Sequence, residues 1–169
     1  QISFLLKDNL LVSFQEKKSD FFTHIRERIK THSGIVRKKR NDYLLYLLLD
    51  AVMENFYISI EYYEDIIDAL LIEAKTSDKP EVLVRIEKIR EDINFLKRSI
   101  LPLRDALFNL KSEHDESDYD GIEKANYGFF ARLHQKALEI LEQIEYDMNA
   151  LDSASSFYFS CKATAWMKS

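Results

Sequence analysis

Apolar residues recur along this chain with two different spacings. Two short apolar runs, Ile2–Leu6 and Leu10–Phe14, are separated by Lys-Asp-Asn, which is typical of a turn. They predict a β-hairpin at the N-terminus. Beyond the hairpin, apolar residues return every three or four positions almost to the C-terminus. That spacing places them on one face of a helix.

The helical spacing predicts one short helix and then three long ones. Ser19 or Asp20 is placed to cap the short helix. The first long helix is predicted from about Asn41 to Lys75, the second from Pro80 to Lys111, and the third from Ile122 to Met167. Long helices joined by short connections form antiparallel bundles. We therefore predict a mostly α fold in which a β-hairpin and a short helix precede three long antiparallel helices.

Two features suggest how the chain is organised. Two strands alone make a marginal sheet, so we interpret residues 1–40 as the C-terminal part of a truncated α/β domain and residues 41–169 as a long-helix bundle. The second long helix carries a sustained heptad seam from Val82 to Leu110 and should pack lengthwise against another helix. From Ser153 onward charged residues become rare, which indicates contact with a partner helix, a pore or a bilayer edge.

Composition excludes several classes of function. A net charge of −5 argues against binding of nucleic acid, which requires a basic surface. The single Cys161 excludes an internal disulfide and suits a reducing compartment. No phosphate-binding loop, nucleophile motif or zinc-ligand spacing occurs, so we do not expect an enzyme. The longest apolar run, Tyr43–Leu49, is far shorter than the about 20 residues of a membrane helix.

Two groups of acidic residues are candidate cation ligands. Asp50 lies among apolar residues, where a carboxylate needs a cation, a hydrogen-bond donor or a proton. Farther along, an acidic loop supplies Asp118 and Asp120, with Glu123 beyond it. Hard cations such as Mg²⁺ and Ca²⁺ prefer oxygen ligands, so this loop is a candidate low-affinity site. It lacks the alternation of an EF-hand loop, and an acidic turn without a ligand is the simpler interpretation.

A run of four cations, Arg37–Arg40, precedes the first long helix. Clustered cations near a membrane are attracted to anionic lipid headgroups. The alternative is a hydrated turn before a helix, and the residues alone leave both interpretations open.

The sequence from Leu11 to Phe56 resembles that of the cytoplasmic domain of the CorA family of magnesium channels. The matching segments are Phe14–Lys17, Ile25–Ile29 and Asp42–Val52. Ile100–Asp105 looks like a further family segment, with Pro-Leu-Arg followed by an acid. The resemblance implies the metal-sensing, gating domain of a magnesium transporter, with Mg²⁺ as both regulatory ligand and transported ion.

The resemblance also implies partners and a location. It implies a homopentamer at the cytoplasmic face of the cell inner membrane, with the last helix as a stalk toward a first transmembrane helix outside this chain. In the family, the Asp of the Leu-x-Asp-Ala motif, here Asp50, contributes to a divalent-cation site between subunits. The alternative is that Asp50 accepts a hydrogen bond from a neighbouring Tyr or Arg.

Two departures from the family pattern qualify these expectations. Where the family often carries an acidic sensor residue, this chain reads Phe129–Arg132, without an acid. Ala163–Lys168 retains only Met-Lys of the family's pore-entry phrase. Two other functions therefore stay open. One is a zinc or other divalent-cation transporter on the same scaffold, and the other is a soluble coiled-coil adaptor that dimerises through the heptad seam.

Overall fold

The computed structural model describes residues 1–112 and 121–167. It confirms a mostly helical fold that begins with a two-stranded hairpin. In chain order, the elements are β1 (Ile2–Lys7), β2 (Leu10–Gln15), α1 (Thr23–Lys30), α2 (Asn41–Glu73), α3 (Pro80–Ser112), a 3-10 turn (Lys124–Asn126) and α4 (Tyr127–Met167).

The hairpin packs one face against α1 and the start of α2. Its strands are antiparallel, and Phe4 lies opposite Ser13. Along β1 exposed and half-buried residues alternate, as expected where one face of a strand meets the core. The ring of Phe4 makes an edge-to-face contact with Phe22, at 6.3 Å between ring centroids. Phe22 and Ile25 are buried in the cluster that joins the hairpin to the helices.

The predicted side-chain cap of α1 is wrong. The residue preceding the helix is Phe22, which makes no capping hydrogen bond. Asp20 contributes its backbone carbonyl instead, which accepts a hydrogen bond from the Thr23 N–H at 3.1 Å. The hydroxyl of Ser19 pairs with the side-chain amide of Gln15. The turn before α1 is therefore closed by backbone and by contact with the hairpin.

The long helices begin and end close to their predicted bounds, except for the start of the last one. α4 begins at Tyr127, five residues after the predicted Ile122, because a 3-10 turn comes first. The chain before this turn is tied to α2, since the N–H of Glu123 donates to Oδ2 of Asp42 at 2.8 Å. That hydrogen bond joins residues distant in sequence, so helical spacing could not reveal it.

The chain divides into two compact units, and the long helices contribute to both. Unit 1 comprises Gln1–Asn55 and Leu103–Ala137, and unit 2 comprises Phe56–Pro102 and Leu138–Ser169. Each unit has its own buried apolar side chains: Phe22, Ile25, Met53, Leu107, Phe130 and Leu133 in unit 1, and Ile67, Leu70, Ile86, Ile93, Ile140 and Ile144 in unit 2. The predicted boundary at residue 40 refers to a larger α/β domain and stays a prediction.

The heptad seam of α3 is buried within the chain. Within unit 2, Val82, Ile86, Ile93 and Ile100 are at most 1% exposed. These side chains are already buried within the chain and are not exposed to a second molecule. This argues against an adaptor that dimerises through the seam.

By length and apolar composition, α2 is the one described helix that could cross a membrane. The core helix of a water-soluble protein meets the same two criteria. Leu48, Met53 and Leu70 of α2 are buried inside the structure, and Asp50 and Glu54 of the same helix are ion-paired. These criteria therefore do not identify α2 as a membrane helix.

Candidate metal-binding site

The predicted ligand Asp50 faces a lysine. The Nζ atom of Lys136, on α4, donates to Oδ1 of Asp50 at 2.7 Å and to Oε1 of Glu54 at 3.0 Å. The side chains of Lys136 and Asp50 are 31% and 29% exposed, so this contact is half-buried. Asp50 and Glu54 are separated by about one turn of α2, which places both on the helix face that meets Lys136.

The carboxylates of Asp50 and Glu54 stabilise the charged form of Lys136. Burial lowers the pKa of the Lys136 ammonium, but its hydrogen bonds with Asp50 and Glu54 and their negative charges outweigh that effect and raise the pKa to about 12. Burial raises the pKa of the nearby Tyr46 hydroxyl, and the charge of Asp50 adds to this shift, against Arg132 and Lys136. Asp50 thus has a compensating cation from its own chain.

The sequence correctly indicated that Asp50 needs a partner, but it did not identify Lys136. The alternative to a metal was a hydrogen bond from a Tyr or an Arg, whereas the observed donor is a lysine 86 residues further along the chain. No feature of spacing around Lys136 marks it out. The role of Asp50 as a metal ligand stays a prediction.

The other predicted ligands belong to the acidic loop and the residues after it. Asp118 and Asp120 lie outside the described residues. Glu123 precedes the 3-10 turn, where one carboxylate oxygen accepts from the Asn126 amide at 3.4 Å and the other lies 3.8 Å from Arg40. Its described contacts are with the start of α2 and the 3-10 turn, and none is with Asp50.

Sequence reasoning missed a buried polar cluster around Asp42. This carboxylate is fully buried and accepts hydrogen bonds from the N–H of Tyr43 at 2.8 Å, the N–H of Glu123 at 2.8 Å and the amide of Asn126 at 2.9 Å. It joins the start of α2 to the segment before α4. Its position in the first turn of α2 suits a carboxylate, because the helix dipole is positive there. No local sequence pattern indicates that Glu123 and Asn126 donate to Asp42.

A second buried carboxylate lies in unit 2. Asp147 is 1% exposed, and its Oδ1 accepts a hydrogen bond from the Gln143 amide at 3.2 Å. Its Oδ2 is buried without a hydrogen-bond partner among the described residues. Burial raises the pKa of Asp147 to about 6, and the negative charges of Glu64 and Asp68 act in the same direction, opposed by the Gln143 hydrogen bond.

The described residues do not form a closed metal cage. Across residues 1–112 and 121–167, no three or more His, Cys, Asp or Glu side chains are grouped so that they could hold a metal ion. Mg²⁺ usually keeps several water ligands and binds proteins through one or two carboxylates. Asp50 and Glu54 could therefore supply such a partial set only if Lys136 moved away.

Two side chains of the basic run before α2 make contacts within the chain. Arg37 Nε donates to the carbonyl of Ile29 at 2.7 Å, and Arg40 lies near Glu123. Lys38 and Lys39 are exposed. The structure is compatible with a hydrated turn, and contact with lipid headgroups stays a prediction.

Comparison with known families identifies the scaffold. The model of the family described as CorA-like Mg²⁺ transporter protein matches residues 1–164. The chain belongs to this family. The resemblance inferred from the motifs in α1 and α2 is thereby confirmed.

Two curated relatives are similar to this chain. The cobalt/magnesium transport protein CorA of Thermotoga maritima is 32% identical over 160 residues, which cover 95% of this chain and 44% of that protein. The putative metal ion transporter YfjQ of Bacillus subtilis is 20% identical over 138 residues, which cover 82% of this chain and 42% of that protein. The chain thus spans less than half the length of either relative.

Solved structures of this family share the fold. The soluble domain of CorA from Methanocaldococcus jannaschii superposes with a TM-score of 0.81 at 20% identity, over 95% of this chain and 63% of that one. The complete CorA magnesium transporter of the same organism gives a TM-score of 0.83 at 20% identity, over 96% of this chain and 50% of that one. At this level of identity, the similarity shows the fold.

Proposed function

We propose that this chain is the cytoplasmic, metal-sensing and gating domain of a magnesium transporter. The match of residues 1–164 to a family of Mg²⁺ transporters carries the proposal. The relative from Thermotoga maritima, named for cobalt and magnesium transport, supports divalent cations as the transported ions. No catalytic step is assigned to the chain.

The proposal extends to partners and location. The whole protein would be a homopentamer in the cell inner membrane, with this domain on the cytoplasmic face. Its membrane helices would follow the end of α4. Trp166 and Met167 at the end of α4 are exposed apolar side chains, which suits a helix that continues toward a bilayer.

Asp50 is the proposed contact for a regulatory divalent cation, with Asp118, Asp120 and Glu123 as a second, weaker group. A cation that binds one arrangement of the subunits more tightly shifts the equilibrium toward it, by an amount set by the difference in affinity. Bound cation would hold the closed arrangement. Its loss would leave the carboxylates to repel one another and favour opening.

Thermal unfolding of the 169-residue chain in millimolar Mg²⁺ tests the sensing role. A bound cation stabilises the folded state by RT ln(1 + [Mg²⁺]/Kd), so the melting temperature should rise with Mg²⁺ and the rise should shrink in Asp50→Asn. Asp65→Asn is the matched control, because Asp65 is an exposed carboxylate of the same helix. If Mg²⁺ raised the melting temperature equally in both variants, Asp50 would not be a ligand of the cation.

The coding sequence downstream of Ser169 tests the transport role. Two apolar runs of about 20 residues, with Gly-Met-Asn at the end of the first, are expected. A stop codon or a polar continuation would contradict a channel domain. Mg²⁺ uptake by the complete protein in cells deprived of other magnesium transporters would then test the transported ion.

A further inference from the structure

We propose that Lys136 is an internal competitor for the divalent cation at Asp50. It neutralises Asp50 and Glu54 when no metal is bound, and a divalent cation binds there only by displacing its ammonium group. This inference rests on the proposed function, and it specifies how the response of that same site to cations is set.

The geometry assigns both carboxylates to one ammonium group. Lys136 Nζ lies within hydrogen-bond distance of Asp50 and Glu54 at the same time, at 2.7 and 3.0 Å. An ammonium has three N–H donors, so it can serve both oxygens at once. It thus occupies the position between two carboxylates where a hard cation would bind.

Charge makes the two cations mutually exclusive. Asp50, Glu54 and Lys136 together carry a formal charge of −1, whereas the carboxylates alone carry −2. A divalent cation approaching the paired cluster meets half the negative charge and the repulsion of an adjacent ammonium. Because opposite charges at contact distance attract strongly in a half-buried site, replacement of Lys136 by a neutral side chain should strengthen cation binding.

The ammonium group of Lys136 can move into solvent when it is displaced. The Lys136 side chain is 31% exposed, and Glu54 is 57% exposed. The long lysine stem allows the charged head to swing into water. Displacement therefore does not require a charge to be buried without a partner.

The test compares Mg²⁺ binding by the wild-type chain, Lys136→Met and Lys136→Met/Asp50→Asn, using calorimetry and thermal shifts. We expect Lys136→Met to bind Mg²⁺ at least about tenfold more tightly and the double variant to lose this gain. The matched control is Lys97→Met, since Lys97 of α3 pairs with Glu145 at another surface. It should leave Mg²⁺ affinity unchanged.

Each outcome separates this inference from the proposed function. If Lys136→Met shows Asp50-dependent Mg²⁺ binding and the wild-type chain does not, the inference holds. The proposed sensing of Mg²⁺ at Asp50 by the wild-type chain is then wrong. If the wild type responds through Asp50 and Lys136→Met responds equally, the proposed function stands and the inference is overturned. If neither protein shows Asp50-dependent binding, the inference is overturned.

Nuclear magnetic resonance provides a measurement that does not depend on the folding of a variant. The Nζ proton signals of Lys136 in the wild-type chain report its hydrogen bonds. Titration with Mg²⁺ should weaken or abolish these signals as the ammonium is released into water. Persistence of the signals at Mg²⁺ concentrations that saturate an Asp50-dependent site would overturn displacement.

Discussion

The two units contain buried or half-buried carboxylates with opposite environments. In unit 1, Asp42 accepts three hydrogen bonds and Asp50 faces the ammonium of Lys136. In unit 2, Asp147 has one amide donor and the repulsion of Glu64 and Asp68. Burial is nearly the same for Asp42 and Asp147, at 0% and 1% exposure. The difference therefore comes from partners, and it predicts opposite effects of removing each charge.

Asp42→Ala should have the largest effect. Removal of the carboxylate leaves the N–H of Glu123 and the amide of Asn126 without their acceptor in a buried site. Unsatisfied buried donors cost about 1–3 kcal/mol each, so we expect the free energy of unfolding to fall by about 3 kcal/mol. Urea denaturation at neutral pH measures the change.

Asp65→Ala serves as the control for Asp42→Ala, because Asp65 is an exposed carboxylate of α2. Surface substitutions of this kind usually change stability by less than about 0.5 kcal/mol. Equal effects of the two substitutions would show that the hydrogen bonds of Asp42 contribute little to the fold.

Asp147→Asn should stabilise the protein above neutral pH. The folded-state pKa of Asp147 is raised from 3.8 to about 6, so the folded state binds the proton more tightly than the unfolded state. The charge therefore destabilises the fold as the pH rises through this window, by about 1.4 kcal/mol per pKa unit. We expect a gain of about 2–3 kcal/mol near pH 8 that is largely lost near pH 4.

Denaturation curves across that pH range measure the effect of Asp147→Asn. Glu64→Gln sharpens the result, because removal of a repelling neighbour should lower the pKa of Asp147, as followed by carbon NMR of the carboxyl group. A change in stability that is the same at acidic and alkaline pH would contradict an uncompensated charge at Asp147.

The pair in unit 1 should show a favourable coupling of moderate size. A double-mutant cycle of Asp50→Asn and Lys136→Met isolates their interaction from other effects of each substitution. For a half-buried ion pair we expect about 1 kcal/mol at low ionic strength, near the upper end for exposed pairs. Additive effects would mean that the short contact contributes no net stability.

The smallest effect is expected for an exposed ion pair of unit 2. Arg85 lies 2.6 Å from Glu73, and their side chains are 51% and 39% exposed. A cycle of Arg85→Met and Glu73→Gln should give a coupling below about 0.5 kcal/mol. A coupling as large as that of Asp50 and Lys136 would show that burial does not distinguish the two pairs.

Most of the fold could be predicted because its signals are local. The hairpin, α2 and α3 lie within about two residues of their predicted positions. A short helix before α2 was also expected, but its predicted cap was wrong. The heptad seam identified Ile86 and Ile93 as core residues, and both are fully buried. Periodicity reports which side of a helix faces the core, since neighbouring turns share that face.

The candidate site could be predicted only in part. The position of Asp50 among apolar residues indicated a carboxylate that needs a partner. Lys136 was not identified, because an isolated lysine on a helix usually points into water. In the sequence, Asp42 stands only as the first residue of a family motif, and no pattern distinguishes Asp147 from the other acidic residues of its helix.

By itself, the sequence determined the types of element, their order, the buried faces of the helices and the family. These follow from side-chain spacing and from motifs of a few residues. The tertiary structure alone decided which charges meet. Lys136 lies 86 residues from Asp50, and the donors of Glu123 and Asn126 reach Asp42 across more than 80 residues. Such pairs form only when packing brings distant helices together, and no local pattern encodes which side chains then lie within hydrogen-bond distance.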